Sequence, residues 1–152
     1  MAENTFQKAS ITAEAAQRII AAAEVKAIEM GRPMCIAVVD GDGTLKAFTR
    51  MDGAPLLSVQ LSQDKAYTAI SFSMATHEWY DFVKNDPPLL HGIIKTDRLI
   101  VFGGGYPIKT DTGIIGGIGV SGGHYTHDME VAQAGLAALE YFMSMNSIAH
   151  SR

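Results

Sequence analysis

Nine of the chain's 15 glycines fall in one stretch: Gly103-Gly104-Gly105, then Gly113, Gly116, Gly117, Gly119, Gly122 and Gly123, interleaved with Ile114, Ile115, Ile118 and Val120. Glycine has no Cβ, so a β-branched run studded with it lets the backbone come close to a ligand or to another backbone. Two readings follow. The glycines mark strand bulges and close helix-to-sheet packing, or the amides of Gly122 and Gly123, just before a helix carrying Asp128, form an anion nest for a phosphate or carboxylate. No Gly-Lys-Ser/Thr closes the segment, and Gly117-Ile118-Gly119 lacks the third fingerprint glycine, which argues against a dinucleotide site. Gly119-Val120-Ser121-Gly122-Gly123 matches a nucleophile elbow in letters only. A hydrolase needs an acid and a histidine on a long parallel sheet after the serine, and almost all the chain beyond Gly123 reads as one helix.

Around this stretch the periodicities alternate. Ala16, Ile19, Ile20, Ala23, Ala27 and Met30 recur at helical spacing, with Ser10 or Thr12 as cap and Gly31 and Pro33 as stop. Met34 to Val39 and Thr44 to Arg50 read as an antiparallel hairpin around Asp40-Gly41-Asp42-Gly43, the first strand more buried than the second. Ser58 to Ala75 is a second helix. Thr76-His77-Glu78 caps a further turn or two carrying Trp79, Phe82 and Val83, which Asp86-Pro87-Pro88 ends. Leu89 to Thr96 carries no clear period. Arg98 to Phe102, Tyr106 to Lys109 and Ile114 to Ser121 read as strands, giving five in all. A last helix starts near Thr126 or Asp128, carries Val131, Ala134, Gly135, Ala138, Leu139 and Phe142 at helical spacing, and frays after Met145 toward a loose tail. Two strand blocks separated by helices predict one α/β (α+β) domain over residues 1–152, an antiparallel sheet with helices packed on its faces.

Apolar residues at 47% and charged ones at 18% suit a chain that buries a core, and a net charge of −4 with no Lys/Arg cluster points away from nucleic acid. No apolar run approaches the roughly 20 residues of a membrane span. Met1 to Ser10 contain Glu3 and Lys8 and no apolar core of a secretory signal, so the cytoplasm is the expected compartment. Cys35, the only cysteine, sits in an apolar run with no charged neighbour and reads as an inert core thiol.

Several side chains are candidates for chemistry. His124 and His127, three apart beside Asp128, have a spacing that puts two imidazoles on one side of a helix, as a metal or haem iron requires; partly exposed residues at a helix start are the plainer reading. His91, after Pro87-Pro88-Leu89-Leu90, is a candidate single axial ligand. Lys65, among small residues in Asp64-Lys65-Ala66-Tyr67-Thr68-Ala69, suits a ligand carboxylate, a tuned base or a solvated ion pair. Arg50 and Asp52 flank a strand end, where binding groups gather and local salt bridges also form.

The succession Asp64-Lys65-Ala66-Tyr67-Thr68-Ala69, Gly104-Gly105-Tyr106-Pro107-Ile108, Gly116-Gly117-Ile118-Gly119-Val120-Ser121-Gly122 and Asp128 resembles the GlcG/HbpS family from the first helix to about Tyr141. The resemblance implies a profilin-like, three-layer domain with a five-stranded antiparallel sheet and helices on both faces. It also implies self-association into homo-oligomers and a small-molecule ligand, with haem or a related tetrapyrrole as the expected cofactor. The residues shared with the family motif are Lys65, Gly104, Gly105, Pro107, Gly119, Ser121, Gly122 and Asp128. Family members include haem-binding sensors, a domain attached to cobalamin adenosyltransferases and proteins encoded among catabolic enzymes, so fold follows more firmly than function. Three functions compete. The first is a haem or tetrapyrrole binder with His91, His124 or His127 at the metal. The second is a small lyase- or isomerase-type enzyme, in which Arg50, Gly104, Gly105, Pro107, Ser121, Gly122 and Gly123 surround an organic acid or carbonyl compound and Lys65, Asp128 or His127 moves a proton. The third is a non-catalytic oligomeric accessory protein.

Overall fold

The computed structural model describes residues 2–151, without the side chains of residues 141–144. Helix α1 (Ala13–Glu29) begins at Thr12, whose hydroxyl accepts from the Ala15 amide, and ends where Gly31 turns left-handed at φ +64°. The Arg32 amide then reaches back to the Ala27 carbonyl, so the expected glycine stop takes the Schellman form. Strands β1 (Cys35–Asp40) and β2 (Leu45–Arg50) form the predicted hairpin. Its turn is held by the Asp40 carboxylate, which accepts from the Asp42 and Thr44 amides, and Gly43 alone takes a positive φ there. β1 is buried on both faces but for its last residue, whereas β2 alternates exposed and half-buried positions.

Helix α2 (Leu56–Ser71) stops four residues short of the expected Ala75. Ser73 adopts φ +54° and the Met74 amide bonds the Ala69 carbonyl, a second Schellman closure with serine in the place usually held by glycine. A single 3-10 turn, Thr76–Glu78, leads into the short helix α3 (Trp79–Val83). Asp86 accepts from the Leu89 amide and starts α4 (Pro87–Gly92), followed by a 3-10 turn at Ile93–Lys95. The two prolines therefore end one helix and open the next, since a proline in the first turn withholds no amide that the helix uses. Strands β3 (Gly105–Thr110) and β4 (Gly113–Ser121) complete the sheet, and α5 (Tyr125–His150) runs on through the segment expected to fray. Phe142, part of its expected helical period, lies outside the described side chains.

Among the described residues the sheet is antiparallel and four-stranded, in the order β2-β1-β4-β3, not five-stranded as expected. The missing strand is Arg98 to Phe102. Its backbone is satisfied by a side chain instead of a ladder: Thr68 Oγ1 on α2 donates to the Arg98 carbonyl (2.8 Å) and accepts from the Ile100 amide (3.0 Å). Arg98 itself sits at φ +64°, with Nε 2.9 Å from Asp64 Oδ1 and its guanidinium 4.0 Å from the Tyr67 ring. A β-branched run predicts an extended backbone, but a ladder needs a free edge as well, and here α2 claims the segment first.

Helices cover both faces. α1 and α5 pack together over Ile36, Val38, Ile108, Ile118 and Val120, which with Ile19, Ala23, Met34 and Val131 form the main core. α2 lies across β1, β4 and β3 on the other face. That face carries the glycine row. Gly105 and Gly119 are register partners, as are Pro107 and Gly117. A Cβ on Gly119 would fall on the Ser62 carbonyl, one on Gly117 would come 2.5 Å from the Ala66 carbonyl, and one on Gly105 would fall on the Lys65 carbonyl. The helix rests on bare sheet backbone, so the packing reading of the glycine stretch holds for these three positions.

Candidate functional site

The register of β4 brings Val120 to the end of the sheet where α2 and α5 converge. Lys65, fully buried on α2, donates from Nζ to the Val120 carbonyl and to Asp128 Oδ2, both at 2.8 Å, and Asp128 in the first turn of α5 is 2% exposed. Burial pulls the Lys65 ammonium below its ordinary 10.5 and pushes the Asp128 carboxyl above its ordinary range, while their mutual attraction opposes both shifts. Asp128 Oδ1 accepts from the Gly123 amide at 3.0 Å. In the turn before α5, the Gly123 amide is thus taken by the chain's own carboxylate. Gly104, at φ +121°, passes so close that a Cβ there would stand 2.8 Å from Lys65 Nζ, and the Phe102 ring covers the same ammonium at 5.1 Å.

The other expected site residues scatter. Ser121 is buried, with its hydroxyl 3.3 Å from Ser58 Oγ, and stands opposite Cys35 in register; Arg50 stands opposite Cys35 on the other side and reaches the Ala54 carbonyl at 3.4 Å. Burial raises the Cys35 thiol above 9.0, and the Arg50 charge offsets part of the rise. Gly122 packs against Pro33 and Met34. His124 caps α5, its Nδ1 2.9 Å from Thr126 Oγ1, and its ring centroid is 6.4 Å from that of His127. His127 Nδ1 is buried without a hydrogen-bond partner. His91 is exposed on α4, and no group of three His, Cys, Asp or Glu side chains converges as for a metal ion among the described residues. Lys65, Gly104, Gly123 and Asp128 thus form one cluster, Arg50 and Ser121 flank a buried thiol, and His91 stands apart.

Two open grooves lie near this cluster, and Phe102 borders one of them. One, of about 330 Å³, is bounded by His77, Tyr80, Asp81, Val101, Phe102, Gly103 and Tyr125. The other, of about 350 Å³, runs along β3 and α5 between Ser73, Glu78, Tyr106, Pro107, Lys109 and Leu136, and it too reaches His77. Both volumes fall in the size range of small-molecule sites. His77 is the one histidine at their junction, its ring centroid 5.5 Å from that of Tyr106.

The placement of His77 is over-determined. Thr76, fully buried, accepts from the Gly105 amide through Oγ1 at 2.8 Å and donates to the Gly105 carbonyl at 3.4 Å. Glu78 Oε2 accepts from the Ala75 amide at 3.0 Å, and Trp79 beyond it is buried against Phe72 and Phe82. His77 and Glu78 are left as the outward residues of the turn. Sequence reasoning passed over His77 as part of a capping segment. The signal for it was an isolated imidazole between two residues, Thr76 and Glu78, whose side chains are both capping types.

The family described as "Haem degrading protein HbpS-like" matches residues 11–137. A Citrobacter freundii protein, "Uncharacterized 15.0 kDa protein in dhaT-dhaS intergenic region", is 39% identical over 132 residues, which span 86% of this chain and 92% of that one. The Salmonella typhimurium "Corrinoid adenosyltransferase PduO" is 38% identical over 120 residues; these are 78% of this chain but 35% of that protein. Among solved structures, the "PduOC:Heme Complex" superposes with a TM-score of 0.78 at 35% identity, over 85% of this chain and 94% of the other. Among the described residues no helix is long and apolar enough to cross a membrane.

Proposed function

The chain belongs to the HbpS-like family, and on that premise we propose that it binds haem or a related tetrapyrrole in the groove beside Phe102. One observation carries the reading: three aromatic side chains, Tyr80, Phe102 and Tyr125, with Val101 and the bare backbone of Gly103, wall a groove with an imidazole at its border. A macrocycle presents a broad π-face, and aromatic and aliphatic walls are the surface that removes such a face from water. Gly103 contributes by absence, because a Cβ there would come 2.5 Å from Met129 Sδ and 3.4 Å from His77 Cβ. The haem complex of a 35% identical relative supports the same ligand class.

The residues expected to move a proton support a different role. Lys65 has no exposed surface, and its hydrogen bonds go to Val120 and Asp128, so the pair acts as a strut between α2 and α5 that backs the groove wall at Phe102. When bound, the iron of a haem supplies redox and ligand-exchange chemistry. What this chain supplies is an apolar seat, exclusion of water from one face, and an imidazole carried on a pinned backbone. Titration of the purified full chain with haemin, read as a red-shifted Soret band that saturates with added haemin, tests the reading. A spectrum equal to free haemin plus protein at every ratio rejects it.

A further inference from the structure

Five histidines are present, and geometry separates them. His91 sits on the exposed α4 and borders neither groove. His124 is held at the α5 cap through Nδ1, and His127, in the first turn of α5, has its ring centroid 6.4 Å from that of His124 and borders neither groove. His150 Nδ1 lies 2.9 Å from the Asn146 carbonyl near the end of α5. His77 alone borders the aromatic groove and is bolted to the sheet through its neighbour Thr76.

Resting on the haem reading above, we infer that His77 is the axial ligand to the iron. The donor type fits, since neutral imidazole is the commonest protein ligand to haem iron and needs no charge buried with it. The support fits as well. A ligand must be held against retreat, and the His77 backbone is pinned on one side through the Thr76 hydroxyl and on the other by Glu78, whose carboxylate accepts from the Ala75 amide, while its ring packs 5.5 Å from that of Tyr106. The groove offers the iron no cysteine or methionine, and its oxygen donors besides the phenols of Tyr80 and Tyr125 come from Asp81, whose carboxylate is 2.9 Å from Lys84 Nζ. Either phenol is the competing ligand.

The test separates ligation from binding. Wild type and His77→Ala are each titrated with haemin, followed by absorption and electron paramagnetic resonance, and with iron-free protoporphyrin IX, followed by fluorescence. His77 is exposed, and circular dichroism confirms that the variant folds. The inference expects wild type to show a histidine-ligated ferric spectrum and His77→Ala to lose it. Haemin affinity falls at least about tenfold, the scale on which even outer-shell partners of a metal ligand act. Protoporphyrin affinity stays within about twofold, and free imidazole restores the lost spectrum. His91→Ala, His124→Ala and His127→Ala keep the wild-type spectrum. If His77→Ala keeps it while Tyr80→Phe or Tyr125→Phe changes it, a phenolate is the ligand and the inference fails although haem binding stands. If wild type shifts neither haemin nor protoporphyrin, it is the haem reading itself that fails.

Discussion

Lys65 Nζ and Asp128 Oδ2 lie 2.8 Å apart with essentially no solvent on either side chain, joining a helix on one face of the sheet to a helix on the other. Removing one partner strands a buried charge. Lys65→Met and Asp128→Asn are each expected to lower unfolding stability, Lys65→Met by roughly 3–5 kcal/mol. The double variant should cost less than the sum of the singles by more than about 1 kcal/mol. Urea denaturation of the four proteins measures the cycle, and strict additivity would show that the two groups do not act as a pair.

The glycine row makes a sharper contrast. Gly119→Ala places a methyl on the Ser62 carbonyl and is expected to abolish the native fold or cost more than about 3 kcal/mol. Gly92, in α4, would place its methyl in open space, and Gly92→Ala is expected to be neutral or to stabilise by up to about 1 kcal/mol. Thermal melts of both variants decide it. Equal effects would mean that α2 does not rest on the strand backbone.

Thr68 is expected to govern the wall of the groove. Thr68→Val keeps the shape but leaves the Arg98 carbonyl and the Ile100 amide without their side-chain partner, a loss of about 1–3 kcal/mol. Hydrogen exchange at Ile100 should quicken, and haemin affinity should drop because Val101 and Phe102 follow directly. Unchanged exchange at Ile100 would show that the segment is held by Arg98 and Asp64 instead.

Cys35 provides a pH dependence with a definite sign. Its folded thiol titrates above 9.0 because burial disfavours the thiolate, so the folded state keeps a proton that the unfolded chain releases. Stability owed to this group is complete below that value and declines as pH rises through it. The stability of wild type relative to Cys35→Ala is therefore expected to be constant from pH 6 to about 8 and to fall above about pH 9. The same burial predicts no iodoacetamide labelling of the native protein and full labelling in urea. Rapid native labelling would place the thiol at the surface.

What the sequence carried and what it withheld divide along physical lines. Thr12, Gly31 and the Asp-Gly turn act on their own neighbours, and local chemistry of that kind is readable without a third dimension. The extent of α2 depended on Ser73 accepting a left-handed backbone, and the absence of a fifth strand depended on Thr68, 30 residues from Arg98. Lys65 and Asp128 were each recognisable as motif residues, but their pairing spans 63 positions and no spacing rule joins them. The amides of Gly122 and Gly123 were expected to hold a ligand's phosphate or carboxylate, and of the two the Gly123 amide meets a carboxylate from the chain itself. Composition had no means of showing that Asp128 would supply it to Gly123. His77 was hidden for the opposite reason, because its neighbours perform ordinary capping and only the folded surface reveals what that capping leaves outside.

The hydroxyl of Thr76 gives this arrangement a built-in gauge. It bonds both the amide and the carbonyl of Gly105, and Gly105, on the edge strand β3, faces Gly119 across the ladder to β4. A pull on His77 is thereby a pull on the first residue of β3, with one hydroxyl between them. Ligation of the iron by His77 should register first in the Gly105 amide proton, far from the iron's own colour, and that signal should be missing when the bound macrocycle carries no metal.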